Sequence, residues 1–340
     1  MMEHLLRVDE IYRPSRFWVE FSRQNMAMLR DRGMSHFKRS VPQNYFNWMV
    51  DAPADPQMAG LLNVWAQQPD LLPLQAELRG TSLATGISGL RFLKTPAAVR
   101  SYVLFVGLLW WFARRGDESG CADRLEEPAI GDPIPIFVGD RRISQDLANS
   151  LREYQRLRSS LQPTPAEPRP ILGEIGAGYG RLGYVGMRAQ NLRYWVFDIP
   201  PALTIAEWYL PRTLPEARVF RWRPFARWDE VAEEALSADL AFFTIDQLAM
   251  IPDRTIRSFA AISALHEMRP EQIASYVNDI ARTTTQAFYS KNWTQQHNAF
   301  DDVHFTADLI RPPADWRLAF QRTDDVHPLF SEILYERAQA

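Results

Sequence analysis

ILGEIGAGYGRLGYVGMRAQNLRYWVFD, residues 171–198, passes through four local patterns in succession. The run 171–175 is short and apolar, the length of a buried strand. Gly176, Gly178 and Gly180 then impose a turn, because glycine takes up positive φ and lets a ligand come close to the backbone. From about Tyr179 the spacing is helical, so the free N–H groups of a helix start face that turn. A second apolar run, 194–197, ends on Asp198. Strand, turn, helix and strand are one unit of a parallel α/β sheet, and such sheets bind ligands at the carboxyl ends of their strands.

Two nucleotide cofactors compete for a turn of this kind. A dinucleotide site wants G-x-G-x-x-G, with the third glycine letting helix and strand pack closely. Counted from Gly176, that third position is Arg181, and the glycine falls one residue early, at Gly180. The pattern present is E-x-G-x-G-x-G, and Glu174 at the strand end would repel a pyrophosphate. It suits a ligand carrying an ammonium and a sulfonium, which favours S-adenosylmethionine over NAD. Asp198, closing the second strand, can accept from both hydroxyls of a ribose, a role that either cofactor would use. Ala177, Tyr179 and Ile199 flank these positions and complete the expected contact set.

Outward from this core, 240–245, 259–265 and 287–290 are further apolar runs of strand length, and 270–283 reads as a helix. Runs 316–320 and 330–335 look like a closing pair of strands. Upstream the text is different. Residues 16–32 and 96–115 read as helices stopped by Gly33 and Gly116, and 127–140 is extended and proline-punctuated. Ser144 is an N-cap candidate for the helix after it, with Asp146 in the first turn. SLQPTPAEPRP, 160–170, holds four prolines and is the natural boundary. The expectation is therefore a mainly helical N-terminal region, 1–160, acting as a cap or oligomerisation element, and a cofactor-binding α/β domain, 165–340.

The 340 residues are 46% hydrophobic and 12% aromatic, enough for a sizeable core. Thirty-eight Lys and Arg against 41 Asp and Glu leave a net charge of −3, with no global field to draw nucleic acid or an anionic membrane. The single cysteine, Cys121, excludes an intrachain disulfide and a cysteine-based zinc site, and fits a reducing, cytoplasmic setting. The opening stretch MMEHLLRVDEIYRPSRFW carries charges throughout and lacks the apolar run of a secretory signal. The most apolar stretch, 102–113, is shorter than a bilayer span and reads as a buried helix, with a membrane-surface helix or an oligomer face at Trp110–Trp111 as the alternative.

Several later residues have chemistry suited to the same crevice. Asp246 follows a strand, where it could accept from an adenine amine or cap the next helix, and Gln247 sits beside it. His266 and Glu267 follow the strand 259–265. An imidazole there could take a proton from a hydroxyl, with Glu267 orienting it or holding the acceptor. Lys291 and Trp293 follow the next strand, and Trp293 offers a flat face for a sugar ring, or a wall of the core. Asp301, Asp302 and His304 are metal-ligand residue types, but their spacing fits a solvated loop better, so no metal site is expected.

The segments EIGAGYGRLGYV (174–185), VFDIPPALTIAEWYL (196–210), SALHEMRPEQIASY (263–276) and FYSKNW (288–293) resemble the sugar O-methyltransferase family. EEPAIGDPIPI and ISQDLANSLREY, within 126–154, do so as well, and HFKRSVPQNYFNW (36–48) more weakly. The resemblance implies a Rossmann-like sheet, mostly parallel with a reversed final hairpin, S-adenosylmethionine as donor and a sugar hydroxyl as acceptor. It places Glu174, Gly176, Gly178 and Asp198 on the cofactor, and Gln145, Asn149 and Ser150 along the acceptor site. The competing functions are methylation of a non-sugar small molecule, an NAD-dependent oxidoreductase using the same turn, and a non-catalytic assembly protein. A homodimer through the N-terminal helices fits all of them.

Overall fold

The computed structural model describes residues 1–41, 50, 52–68, 81–83 and 95–338. Positions 42–48 of the weaker family likeness lie outside the described residues. In chain order the helices are α1 (Met2–Leu5), α2 (Arg16–Arg32), α3 (Phe37–Ser40), α4 (Pro56–Ala66), α5 (Pro96–Arg115), α6 (Gln145–Leu157), α7 (Arg181–Ala189), α8 (Ala202–Thr213), α9 (Ala232–Ser237) and α10 (Pro270–Thr283). The strands are β1 (Thr81–Leu83), β2 (Ile136–Val138), β3 (Arg141–Ile143), β4 (Ile171–Ile175), β5 (Arg193–Asp198), β6 (Val219–Phe220), β7 (Leu240–Thr244), β8 (Ile256–Ile262), β9 (Thr284–Trp293), β10 (Gln295–Asn298), β11 (Val303–Thr306), β12 (Trp316–Thr323) and β13 (Phe330–Arg337).

The chain divides into two compact units. One joins Met1–Ala27 to Arg156–Asp324 and Leu329–Ala340, and the other is Met28–Gln155 with Asp325–Pro328. The division at 155/156 falls close to the expected boundary. The segment Met1–Ala27 does not follow the expected helical region, however. It belongs with the sheet, because Leu5 is fully buried in its core, where Val8, Tyr12 and Trp18 pack.

In the first unit eight strands form one sheet in the order β12-β13-β9-β8-β4-β5-β7-β6. Pairings from β6 to β9 are parallel, and β13 is antiparallel to both neighbours. This is the Rossmann-like α/β sheet with a reversed strand near one edge that the sequence predicts. β4 and β7 are buried at every residue, which is why both read as unbroken apolar runs. Phe197, Phe243, Phe259 and Phe220 stack across the sheet at 5.1–5.6 Å between ring centroids. β6, at the far edge, left no sequence signal because only two residues pair.

The second unit holds α3 to α5, nearly all of α6, and a small antiparallel sheet in the order β1-β2-β3. α5 runs for 20 residues, longer than its most apolar stretch. By length and composition it is the one helix among the described residues that could cross a membrane. Tyr102, Phe105, Val106, Leu108, Leu109 and Trp110 on it are buried, so Trp110 does not offer the surface expected of it. Ser144 caps α6 as expected, its Oγ accepting from the Leu147 N–H at 2.9 Å and donating to Glu127 at 2.7 Å. Glu127 in turn pairs with fully buried Lys38.

Candidate functional site

The site is built by the carboxyl ends of β4, β5, β7 and β8. Between β4 and α7 the chain turns through Gly176, Gly178 and Gly180, all at positive φ. The first two glycines have different duties. A Cβ on Gly176 would lie 2.4 Å from the Cβ of Ala264, so that glycine lets the β4 and β8 ends meet. A Cβ on Gly178 would meet nothing within 4 Å. The turn is therefore packed at its root and open at its tip, as a ligand cradle must be.

Asp198 ends β5, where one carboxylate oxygen accepts from the Gly178 N–H at 2.7 Å and the other from the Ile199 N–H at 2.6 Å. Each oxygen keeps a second lone pair. Burial raises the Asp198 pKa to about 7, against the two backbone bonds that lower it. Ala177 and Ile199 are buried beside it, and the Tyr179 ring meets Tyr209 edge-on at 5.1 Å. Glu174 is buried and accepts a hydrogen bond from the Tyr194 hydroxyl. One of its carboxylate oxygens is thus engaged by a phenol.

Beyond β7 the chain makes a short helical turn, Ile245–Met250. Its cap is Thr244 rather than Asp246. Gln247 completes the box, accepting from the Thr244 N–H at 3.0 Å and donating to the Arg223 carbonyl at 2.9 Å. Gln247 thus has its amide used on both sides. Asp246 is left to project. His4 reaches its Oδ2 at 2.8 Å, while its buried Oδ1 has no hydrogen-bond partner among the described residues. His4 was not foreseen, since it stands at the opposite end of the chain from Asp246.

β8 leads through Ser263, at φ +52, into the turn Leu265–Glu267. Asn292 on β9 anchors this turn. Its Oδ1 accepts from the backbone N–H groups of Ala264 and Leu265, each at 3.0 Å, and its Nδ2 donates to the Ala261 carbonyl at 3.1 Å. The same oxygen lies 3.0 Å from His266 Nδ1. His266 is 1% exposed, ringed by Trp293, Phe305 and Phe330 at 6.1–6.3 Å. Burial lowers its pKa to about 4, although the Asn292 contact raises it. Glu267 behaves in the opposite sense. Burial pushes its pKa up to about 8, a hydrogen bond from Trp18 pulls down, and the charge of Asp198 raises it further. Its Oε2 is buried without a hydrogen-bond partner among the described residues.

Trp293 packs on Phe330 at 5.7 Å as well as on His266, so most of its face serves the wall of the core. Lys291 is buried and ion-paired with Asp324 at 3.0 Å. Gln145 and Asn149 stand on α6 within the second unit, Gln145 buried and Asn149 partly so. The structure thus brings Gly176, Gly178, Asp198, Asp246, His266 and Glu267 to the carboxyl ends of neighbouring strands of the sheet. The residues missed from sequence are His4 and Trp18. Asn292 lies between Lys291 and Trp293 in the quoted FYSKNW segment, a stretch expected to face the crevice.

The donor set fits S-adenosylmethionine. It offers a carboxylate with free lone pairs at the ribose position, an orphaned buried carboxylate oxygen one strand away, and an open turn between glycine N–H groups. The acidic groups Asp198, Asp246 and Glu267 suit a sulfonium better than a diphosphate.

No family model matches the chain, so the likeness to sugar O-methyltransferases stands on the quoted segments alone. No curated protein matches it either. Among solved structures it is similar to magnesium protoporphyrin IX methyltransferase from Synechocystis PCC 6803 with bound SAH, at 12% identity and a TM-score of 0.38, over 59% of this chain and 90% of that one. It is also similar to the mitomycin 7-O-methyltransferase MmcR, at 11% identity and a TM-score of 0.35, over 84% of this chain and 70% of that one. A third likeness is to the PH0226 protein from Pyrococcus horikoshii OT3, at 9% identity and a TM-score of 0.40, over 57% of this chain and 92% of that one.

Proposed function

We propose that the chain is an S-adenosylmethionine-dependent O-methyltransferase acting on a hydroxyl of a sugar or glycan. The observation that carries this is the open glycine turn at Gly178, hydrogen-bonded to the buried carboxylate of Asp198. S-adenosylmethionine supplies an electrophilic methyl group on a positively charged sulfur. Asp198 would hold the ribose, and Oδ1 of Asp246, which has no hydrogen-bond partner among the described residues, would take the adenine amine while His4 holds the other oxygen.

Glu267, rather than His266, is the group suited to take the proton of the acceptor hydroxyl. A general base works best with a pKa near the operating pH. Glu267 is held near 8 and His266 near 4. Oε2 of Glu267 also has no hydrogen-bond partner among the described residues, whereas His266 is enclosed by three aromatic rings. His266 and Asn292 then act by positioning, holding the turn that aims Glu267. The sugar reading rests on the quoted family segments, and on a base placed to activate a neutral hydroxyl.

Calorimetry tests the cofactor. S-adenosylmethionine and S-adenosylhomocysteine should bind one per chain, and NAD(P) should not. Binding of NAD(P) alone would overturn the proposal.

A further inference from the structure

The β10–β11 hairpin lies outside the crevice, and no step above uses its outer face. His297 and His304 stand directly opposite each other in its register. Opposed residues on an antiparallel pair project to the same side, with Cβ atoms about 5 Å apart. The two imidazoles stack with ring centroids 4.3 Å apart and planes within 11°. Asp302, at the start of the return, reaches His297 Nε2 at 3.1 Å. One ligand atom from each of the three residues lies within 4.8 Å of the others, and all three are exposed.

We propose that His297, Asp302 and His304 form a binding site for a divalent transition-metal ion of the zinc, nickel or copper class. Two neutral imidazoles and one carboxylate are the donors that such ions prefer, whereas magnesium and calcium want oxygen throughout. Ligands on one zinc ion sit about 2.0–2.2 Å from it, so the three donor atoms must draw together from their present spacing. Exposed side chains have the rotamer freedom to do this. The remaining coordination positions face solvent and take water.

The scaffold is already held. Asp301, the expected neighbour in such a cluster, is turned the other way, with its carboxylate accepting from the Arg16 and Phe17 N–H groups at the start of α2. Phe300 packs against Phe17 at 5.7 Å. Next to His304, Phe305 points inward and is buried against His266. The hairpin therefore presents its two histidines from a braced strand pair.

The test is titration of Zn2+ into the chelator-treated full chain, without a histidine tag, by calorimetry. One equivalent should bind. A His297→Gln/His304→Gln double variant should lose at least about tenfold in affinity, and Asp302→Asn should fall between. With Cu2+, electron paramagnetic resonance should show coupling to two nitrogens in the parent chain and to one in either single variant. S-adenosylhomocysteine binding should be unchanged throughout, which confirms that the variants are folded. Undiminished Zn2+ binding in the double variant, or none by the parent chain up to millimolar Zn2+, would overturn the site.

Discussion

Alanine at Gly176 and at Gly178 should separate folding from binding within one loop. Both glycines have positive φ, +66 and +60, and an alanine held there costs about 1–2 kcal/mol. At Gly176 the new methyl also falls 2.4 Å from the Ala264 Cβ. Relief requires the β4 and β8 ends to part, an overpacking cost of about 1–3 kcal/mol. Gly176→Ala should therefore lose about 2–5 kcal/mol of a total stability of roughly 5–15 kcal/mol. At about 2–4 °C per kcal/mol, its Tm should fall by about 4–20 °C. Gly178→Ala carries the strain alone and should fall by about 2–8 °C, because its methyl meets nothing in the ligand-free chain. Its methyl enters the space assigned to the nucleoside, so the damage appears on binding. Thermal melts with and without S-adenosylhomocysteine read both effects. At a concentration 100 times Kd the parent chain should gain about 2.7 kcal/mol, while Gly178→Ala should gain little. A full ligand-induced shift in Gly178→Ala, or equal ligand-free Tm values for the two variants, would refute this division of duties.

The buried acids predict a pH dependence. Folded-state pKa values of about 7 for Asp198 and about 8 for Glu267 lie above their ordinary values, so the folded chain holds these protons more tightly than the unfolded one. Their contribution to stability is complete below about pH 4 and is lost as pH rises through 7 and 8. Chemical denaturation at pH 6 and pH 9 should show Glu267→Gln gaining relative to the parent chain at pH 9, and a variant that loses as much at pH 9 as the parent would count against a protonated Glu267. S-adenosylhomocysteine, by donating hydroxyls to Asp198, prefers the ionised form. Its affinity should fall by up to about tenfold per pH unit below 7, and Asp198→Asn should bind more weakly without that slope. Asn292→Ala removes the acceptor for three backbone N–H groups and the contact to one imidazole, and urea unfolding should show a loss of about 2–4 kcal/mol.

The glycine turn, its strands and Asp198 were legible because their signals are local. Run length, glycine spacing and a terminal acid all fall within residues 171–198, and β4 and β5 lie where the pattern puts them. The roles of single polar residues were less legible. Nothing in the sequence shows that the Gln247 amide closes a capping box or that Lys291 pairs with Asp324. His4 and Trp18 reach the crevice from the far end of the chain, a proximity that periodicity does not record. His266 shows the same difficulty in chemical form. Its residue type suggests a base, but three aromatic rings contributed by β9, β11 and β13 decide its pKa.

The two ends of the sheet treat their acids differently, and the difference argues for a ligand. Asp239, just before β7 at the amino end, is also largely buried, and burial raises its pKa. Hydrogen bonds from the Arg218 backbone and side chain and from Arg169 more than reverse this, leaving it below the usual carboxylate range. That is how an acid serving only the fold is accommodated. Asp198 and Glu267, at the carboxyl ends of the same sheet, are not compensated by any arginine, and both are pushed up. Asp246, after β7 on the other side of Asp198 from Glu267, keeps one buried oxygen without a hydrogen-bond partner among the described residues. Leaving three such groups underbonded weakens the ligand-free fold, and a bound molecule rich in hydroxyl and amine donors, with a positive charge of its own, would restore what they lack. An arginine brought to this end should therefore stabilise the ligand-free chain and abolish binding. Ala177→Arg, placed in the glycine turn beside Asp198, should do both if the crevice is built for a cationic nucleoside. A variant that kept its affinity for S-adenosylhomocysteine would show that the ligand lies elsewhere.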